Sequence, residues 1–338
     1  MVRKSYFIPT FAQRNRNIRN SMDNKKDLSV LRNRSIRACI GDGYQLYVGN
    51  FYRIFRSSWV AALLYAVVCG LATSYFIMQY PKLLIIDAMG AEAVTAQAAW
   101  VVTTMVTMLC AMLLVLVITA VFASYGVSAL AEHQASGSIS KPQKWYGRLD
   151  AQALKRTLMA LGWWVLVALL AGFVVSGVSM VSQRFLGHYV GLGLMVLVGI
   201  GLMVVLLPLC YTFMKYLLTP KSTFVKVLGT TYGKGFKRMG AIFMVALVVG
   251  LVTALLSCVI ELPANILYLA NVQSQVGLLQ GDPSGMPDYM SWMNLLVFAV
   301  AGFIQAYVHL SSLFPFYYLY GKIDTDEQER QQQLNSMK

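Results

Sequence analysis

The chain has 338 residues, of which 57% are hydrophobic and only 12% charged, yet its formal net charge is +14. A soluble domain carries roughly twice that share of charged residues, so an ordinary water-soluble fold is excluded. A soluble protein this basic would point to a polyanionic partner such as nucleic acid, but the placement of the charges argues against it.

Residues 1–22 contain Arg3, Lys4, Arg14, Arg16 and Arg19 with no acid before Asp23. That composition fits either a mitochondrial presequence or a basic, disordered tail at the inner face of a bacterial membrane. The tail reading is preferred, and residues 1–35 are expected to form it. The first apolar run starts near residue 59, too late and too long for a secretory signal.

Between the tail and that run, Ile36, Ile40, Tyr44, Tyr47, Phe51 and Phe55 recur at helical spacing. Arg37, Arg53 and Arg56 lie on the other faces, so the pattern predicts an amphipathic helix in the membrane interface that turns inward near Trp59.

Six apolar runs follow, with predicted spans at 59–80, 98–122, 158–181, 190–211, 239–261 and 293–316. Each reaches the roughly 20 residues that an α-helix needs to cross about 30 Å of hydrocarbon. Lys and Arg then fall on alternate sides. The first 58 residues carry 12, the second interhelical segment five, the fourth six and the last segment three, whereas Lys82 and Arg184 stand alone opposite. Basic residues stay on the cytoplasmic side, which predicts an N-in, C-in protein of a bacterial cytoplasmic (inner) membrane. The fold class expected is therefore an all-α polytopic bundle. Its partners are membrane lipids of the anionic inner leaflet, other membrane proteins or a second copy, and not nucleic acid.

The amphipathic device recurs. At an offset of 181, Tyr47 matches Leu228, Phe51 matches Tyr232, Arg53 matches Lys234, Phe55 matches Phe236 and Arg56 matches Lys237. A weaker copy, Trp145 and Leu149 with Lys155 and Arg156, precedes the third span. Three units are predicted, each an interfacial elbow followed by a helical hairpin. Arg53, Arg56, Lys234, Lys237 and Arg238 become candidate lipid-headgroup contacts.

Ionisable groups inside the spans are scarce, which directs attention to the few present. Gln305, His309 and Ser312 recur at i, i+4 and i+7 of the sixth span and form a candidate polar stripe that lipid cannot satisfy. It fits interhelical hydrogen bonding or a proton or substrate path. Glu261 ends the fifth span, and residues 262–292 are expected to form a long outer loop, a linker or a lid.

The five cysteines, Cys39, Cys69, Cys110, Cys210 and Cys258, are widely spaced and lack a C-x-x-C, which speaks against a disulfide framework or a zinc site. His133, His188 and His309 fall at different predicted depths, so they do not make a shared metal site. No nucleophile elbow or P-loop occurs. The expectation is a non-enzymatic protein with no cofactor.

The run Ile40-Gly41-Asp42-Gly43-Tyr44-Gln45-Leu46-Tyr47-Val48-Gly49-Asn50-Phe51 before Trp59, and the ending Phe316-Tyr317-Tyr318-Leu319-Tyr320-Gly321-Lys322 followed by acids, carry a likeness. They resemble the two ends of a group of uncharacterised bacterial six-helix membrane proteins, related to the membrane domain attached to some glycerophosphodiester phosphodiesterases. The soluble phosphodiesterase part has no counterpart here. The resemblance implies a lipid-embedded accessory module, with a small-solute or lipid transporter built on the polar stripe as the alternative.

Overall fold

The computed structural model describes residues 30–88, 91–141, 148–185, 188–219, 222–279, 287 and 289–337. The disordered tail predicted for 1–35 therefore falls almost wholly outside the described residues, as does Trp145. Among the described residues every regular element is an α-helix: α1 (Ile36–Ala88), α2 (Ala91–Ala96), α3 (Ala98–Ser136), α4 (Ala151–Phe185), α5 (His188–Leu218), α6 (Phe224–Lys237), α7 (Met239–Leu279) and α8 (Tyr289–Ser336). Six of them, α1, α3, α4, α5, α7 and α8, are long and apolar enough to cross a membrane. Each contains one predicted span. Without water in a bilayer core, a backbone must satisfy its own hydrogen bonds, which the helix does within one segment.

The ends of several helices have local causes. α3 stops at Gly137, whose φ of 70° lies in the left-handed region, and its N–H is 2.8 Å from the His133 carbonyl oxygen. Before α4, Asp150 Oδ1 accepts the Gln152 backbone N–H at 3.1 Å, an N-cap bond.

Three boundaries differ from those read in the sequence. α1 continues through Trp59 without a break, so the predicted inward turn there is absent. α7 runs on through Pro263 to Leu279, so the first 18 residues of the predicted outer loop 262–292 are helical. Apart from Pro263, that extension is rich in residues that favour a helix, and a single proline removes only one ladder bond. At the other end the polar sequence of residues 321–338 reads as a tail, yet α8 continues to Ser336 and makes most of it helical.

The reason α1 stays straight enough to continue is its partner. Its aromatic stripe packs on α8 instead of on lipid: Tyr47 meets Phe314 with ring centroids 5.0 Å apart, Phe51 meets Tyr307 at 5.7 Å, and Phe55 meets Tyr307 at 5.5 Å. The two helices run antiparallel over a long seam. Cys39 lies beside the Tyr318 carbonyl, the Tyr47 hydroxyl donates to the Tyr307 carbonyl at 2.9 Å, and Gly70 lies against Ala299. Gly43 permits this approach, because a Cβ there would come within 2.6 Å of the Pro315 backbone.

α8 is the hub of the bundle. α1 and α3 cover one side, α7 another, and α5 reaches it through Tyr211, whose ring is 6.2 Å from that of Tyr320. α4 and α5 form a hairpin held to the rest mainly at the end bearing the basic loops, called here the basic end. A second apolar cluster there joins Ala160, Phe213, Tyr216 and Phe224 of α4, α5 and α6. Away from it, no described position on α4 between Ala160 and Ser182 is buried, and Phe173 is 79% exposed. The hairpin thus stands partly clear of the α1/α7/α8 core. α6 is a separate helix capped at Arg238, one residue before α7 begins, and its Gly235 rests against Pro208 of α5.

Candidate functional site

Helical geometry does put Gln305, His309 and Ser312 on one face of α8, but they do different things. Gln305 is buried, and its Nε2 donates to Ser257 Oγ of α7 at 2.5 Å while lying 3.1 Å from His309 Nε2. Gln305 Oε1 is buried without a partner among the described residues. His309 itself is exposed. Ser312 donates back to the His309 carbonyl oxygen at 2.6 Å, so its hydroxyl belongs to its own helix. The stripe is therefore a Gln305–Ser257 interhelical bond flanked by an exposed imidazole.

The five candidate headgroup residues also divide. Arg53 is half-buried and donates to Asn50 Oδ1 at 3.0 Å and to the Ile139 carbonyl at 2.6 Å, which ties α1 to the segment after α3. Lys234 lies 3.7 Å from Glu327, and Arg238 lies 3.4 Å from Asp326. Arg56 and Lys237 are exposed, with no ion pair among the described residues. Three of the five are thus engaged by the protein, leaving two fully available to a headgroup.

The sequence pattern did not single out the acids that engage Lys234 and Arg238, nor a third that engages Lys215. Asp324, Asp326 and Glu327 lie on the extension of α8, facing α5, α6 and the start of α7. Asp324 accepts from Lys215 at 2.5 Å and from the Tyr211 hydroxyl at 3.2 Å, while Asp326 also faces Lys322 at 3.5 Å. The signal available was a run of acids on the side where nearly every other charge is basic.

A second polar knot lies between α3, α8 and the segment before α1. His133 is 2% exposed, and its Nδ1 shares a 2.9 Å hydrogen bond with the Tyr317 hydroxyl. Arg34 sits 4.8 Å above the Tyr318 ring and pairs with Asp42 at 2.9 Å. Nearby, Arg148 pairs with Glu132 at 3.3 Å and donates to the Ser140 carbonyl oxygen. Burial draws the Arg148 guanidinium below its ordinary pKa, and the Glu132 carboxylate opposes that fall. His133 and Arg148 are both buried structural groups.

The cysteines are free thiols, and among the described residues no three His, Cys, Asp or Glu side chains converge on a position that could hold a metal ion.

The concave surfaces are apolar for the most part. A groove of 640 Å3 runs between α1, α7 and α8, walled by Tyr44, Phe51, Val252, Ile304, Tyr307 and Val308. It occupies the middle of the apolar stretches of α7 and α8. His309 is exposed on α8 and does not line this groove.

An all-helical bundle with six membrane-length apolar helices defines a multi-pass membrane protein. Comparison with protein-family models, curated proteins and solved structures found no match.

Proposed function

We propose that the chain is a non-enzymatic, lipid-contacting accessory module of a bacterial cytoplasmic membrane, with both termini on the cytoplasmic side. The aromatic groove between α1, α7 and α8 carries this reading. It is concave and apolar and lies against the apolar stretches of α7 and α8, which suits an acyl chain and no soluble substrate. The charge asymmetry supports the orientation. The likeness of the chain's two membrane-region ends to the membrane domains of certain phosphodiesterases supports a module that acts beside an enzyme. Arg56 and Lys237 remain free to hold anionic headgroups. The matched residues around Tyr47 and Leu228 support an internal duplication, even though only the second copy makes a separate α6.

The test is photocrosslinking with a phospholipid that carries a diazirine on its acyl chain, followed by peptide mapping. Labelling concentrated at Phe51, Val252 and Ile304, and lost in Val308→Trp, supports the groove. Labelling no denser there than at lipid-facing Leu170 overturns it.

The alternative, a small-solute or lipid transporter, is favoured by one observation: His309 is exposed within the apolar helix α8. If a cysteine at position 309 reacts with a membrane-impermeant maleimide, water reaches that face of α8 and the transporter reading gains. Inertness there, with reactivity at an exposed control in the basic loops, favours the module.

A further inference from the structure

Two cavities at the basic end share a wall. The first, of 540 Å3, opens between the last turns of α3, the start of α4 and the end of α5, and its polar lining includes Ser128, Asp150 and Arg156. The second, of 240 Å3, lies between α3, α4, α5 and α8 and is apolar, with Trp164, Phe213 and Phe316 in its wall. Val127 and Leu217 line both. A polar chamber thus adjoins an apolar one that reaches deeper along the helices.

The polar groups are of both signs. Arg156 spends Nη1 on the Tyr216 carbonyl at 3.1 Å and on the Thr219 carbonyl, at the unsatisfied C-terminal end of α5. Its Nη2 and Nε have no hydrogen-bond partner among the described residues. Ser128 Oγ is buried with no partner among the described residues, although a hydroxyl in such a place demands one. Asp150 is exposed and gives Oδ1 to the Gln152 N–H, which leaves Oδ2 for a cation.

We propose that the paired cavities bind one phospholipid whose headgroup joins a phosphate to a primary ammonium. The phosphate accepts from Arg156 and from the Ser128 hydroxyl, and the ammonium donates to Asp150. An acyl chain passes between Val127 and Leu217 into the apolar chamber. A phosphoglycerol lipid carries the same phosphate charge but offers Asp150 only neutral hydroxyls in place of a cation. A phosphocholine lipid has no N–H to donate and a bulkier head. The proposal rests on the lipid-contacting reading but names a second site, a ligand class and a selectivity that the groove does not supply.

The test uses the full chain in nanodiscs containing equal parts of phosphoethanolamine, phosphocholine and phosphoglycerol lipids, released into native mass spectrometry. The expected result is about tenfold enrichment of the ethanolamine lipid on the protein, as one charge-assisted contact would give. Asp150→Asn keeps the N-cap acceptor yet removes the charge, and it should bring that enrichment to near parity without lowering thermal stability. Val127→Trp, which fills the shared wall, should lower retention of all three. Unchanged enrichment in Asp150→Asn, or preference for the glycerol lipid, overturns this site while the groove labelling stands. Full competition by soluble phosphoethanolamine overturns the role of the apolar chamber. Absence of retained lipid together with random groove labelling would overturn the lipid-contacting reading itself.

Discussion

Replacing Asp324 should show how far the α8 extension holds the basic end together. Its carboxylate is 2.5 Å from Lys215 Nζ and 3.2 Å from the Tyr211 hydroxyl, with Asp324 and Lys215 side chains only 18% and 24% exposed. An exposed pair contributes about 0.2–1 kcal/mol, whereas removing one partner of a fully buried pair costs about 3–5 kcal/mol. This pair lies between, so its loss should cost about 2 kcal/mol. The stranded Tyr211 hydroxyl, in a residue only 2% exposed, adds about 1 kcal/mol. Asp324→Ala should therefore destabilise by about 3 kcal/mol, and Asp324→Asn, which keeps an acceptor for both partners, by about half of that. Equilibrium unfolding in mixed detergent–SDS micelles, followed by circular dichroism, gives these values. A double-mutant cycle with Lys215→Met isolates the pair, for which about 2 kcal/mol of coupling is expected. Additive costs within about 0.5 kcal/mol would refute a coupled clamp, and so would an Asp324→Ala variant as stable as the parent.

Gly43→Val should be far more harmful than Gly41→Val. The first drives a side chain into the Pro315 backbone, at a cost of about 3 kcal/mol or more, while the second meets open space; thermal melting of the pair of variants checks this. Gln305→Leu removes the bond to Ser257 and should cost only about 0.6 kcal/mol, the average for hydrogen bonds between membrane helices, in the same unfolding assay. A loss above about 2 kcal/mol would mean that Gln305 serves a wider network. Tyr317→Phe leaves buried His133 without its Nδ1 partner and should cost about 1–3 kcal/mol, whereas the double variant with His133→Phe should recover part of it. Arg53→Ala frees the segment around Ile139, so limited trypsin digestion should cut after Lys141 several times faster. Equal rates would show that this bond does not hold the loop.

The spans were legible because membrane crossing is a local property. A run such as Met239–Ile260 declares itself by composition, and each of the six predicted spans falls inside one long helix. Helix ends were less legible. α7 passes Pro263 and α8 passes Lys322 because the neighbouring residues still favour helix, although both positions read as stops. The polar stripe was legible as a face of α8, but Ser257, the group that satisfies Gln305, lies 48 residues away in the chain. Lys234 and Arg238 read as headgroup anchors because only their own charge was visible. Their acidic partners come from the far end of the chain.

By itself the amino-acid order determined the class of protein: six apolar helices and an uneven distribution of Lys and Arg between their ends. Hydrocarbon thickness and the cost of unpaired backbone act on each segment alone, so these features need no knowledge of neighbours. Only the tertiary structure decided that α1 pairs with α8, that the α4/α5 hairpin stands partly clear, and that two of the five candidate lipid anchors, Lys234 and Arg238, are claimed by α8 carboxylates. Helix association in a membrane turns on close packing, as at Gly43 and Pro315, and on which polar group finds which partner. Those are properties of two surfaces brought together, and a single stretch of sequence carries only one of them.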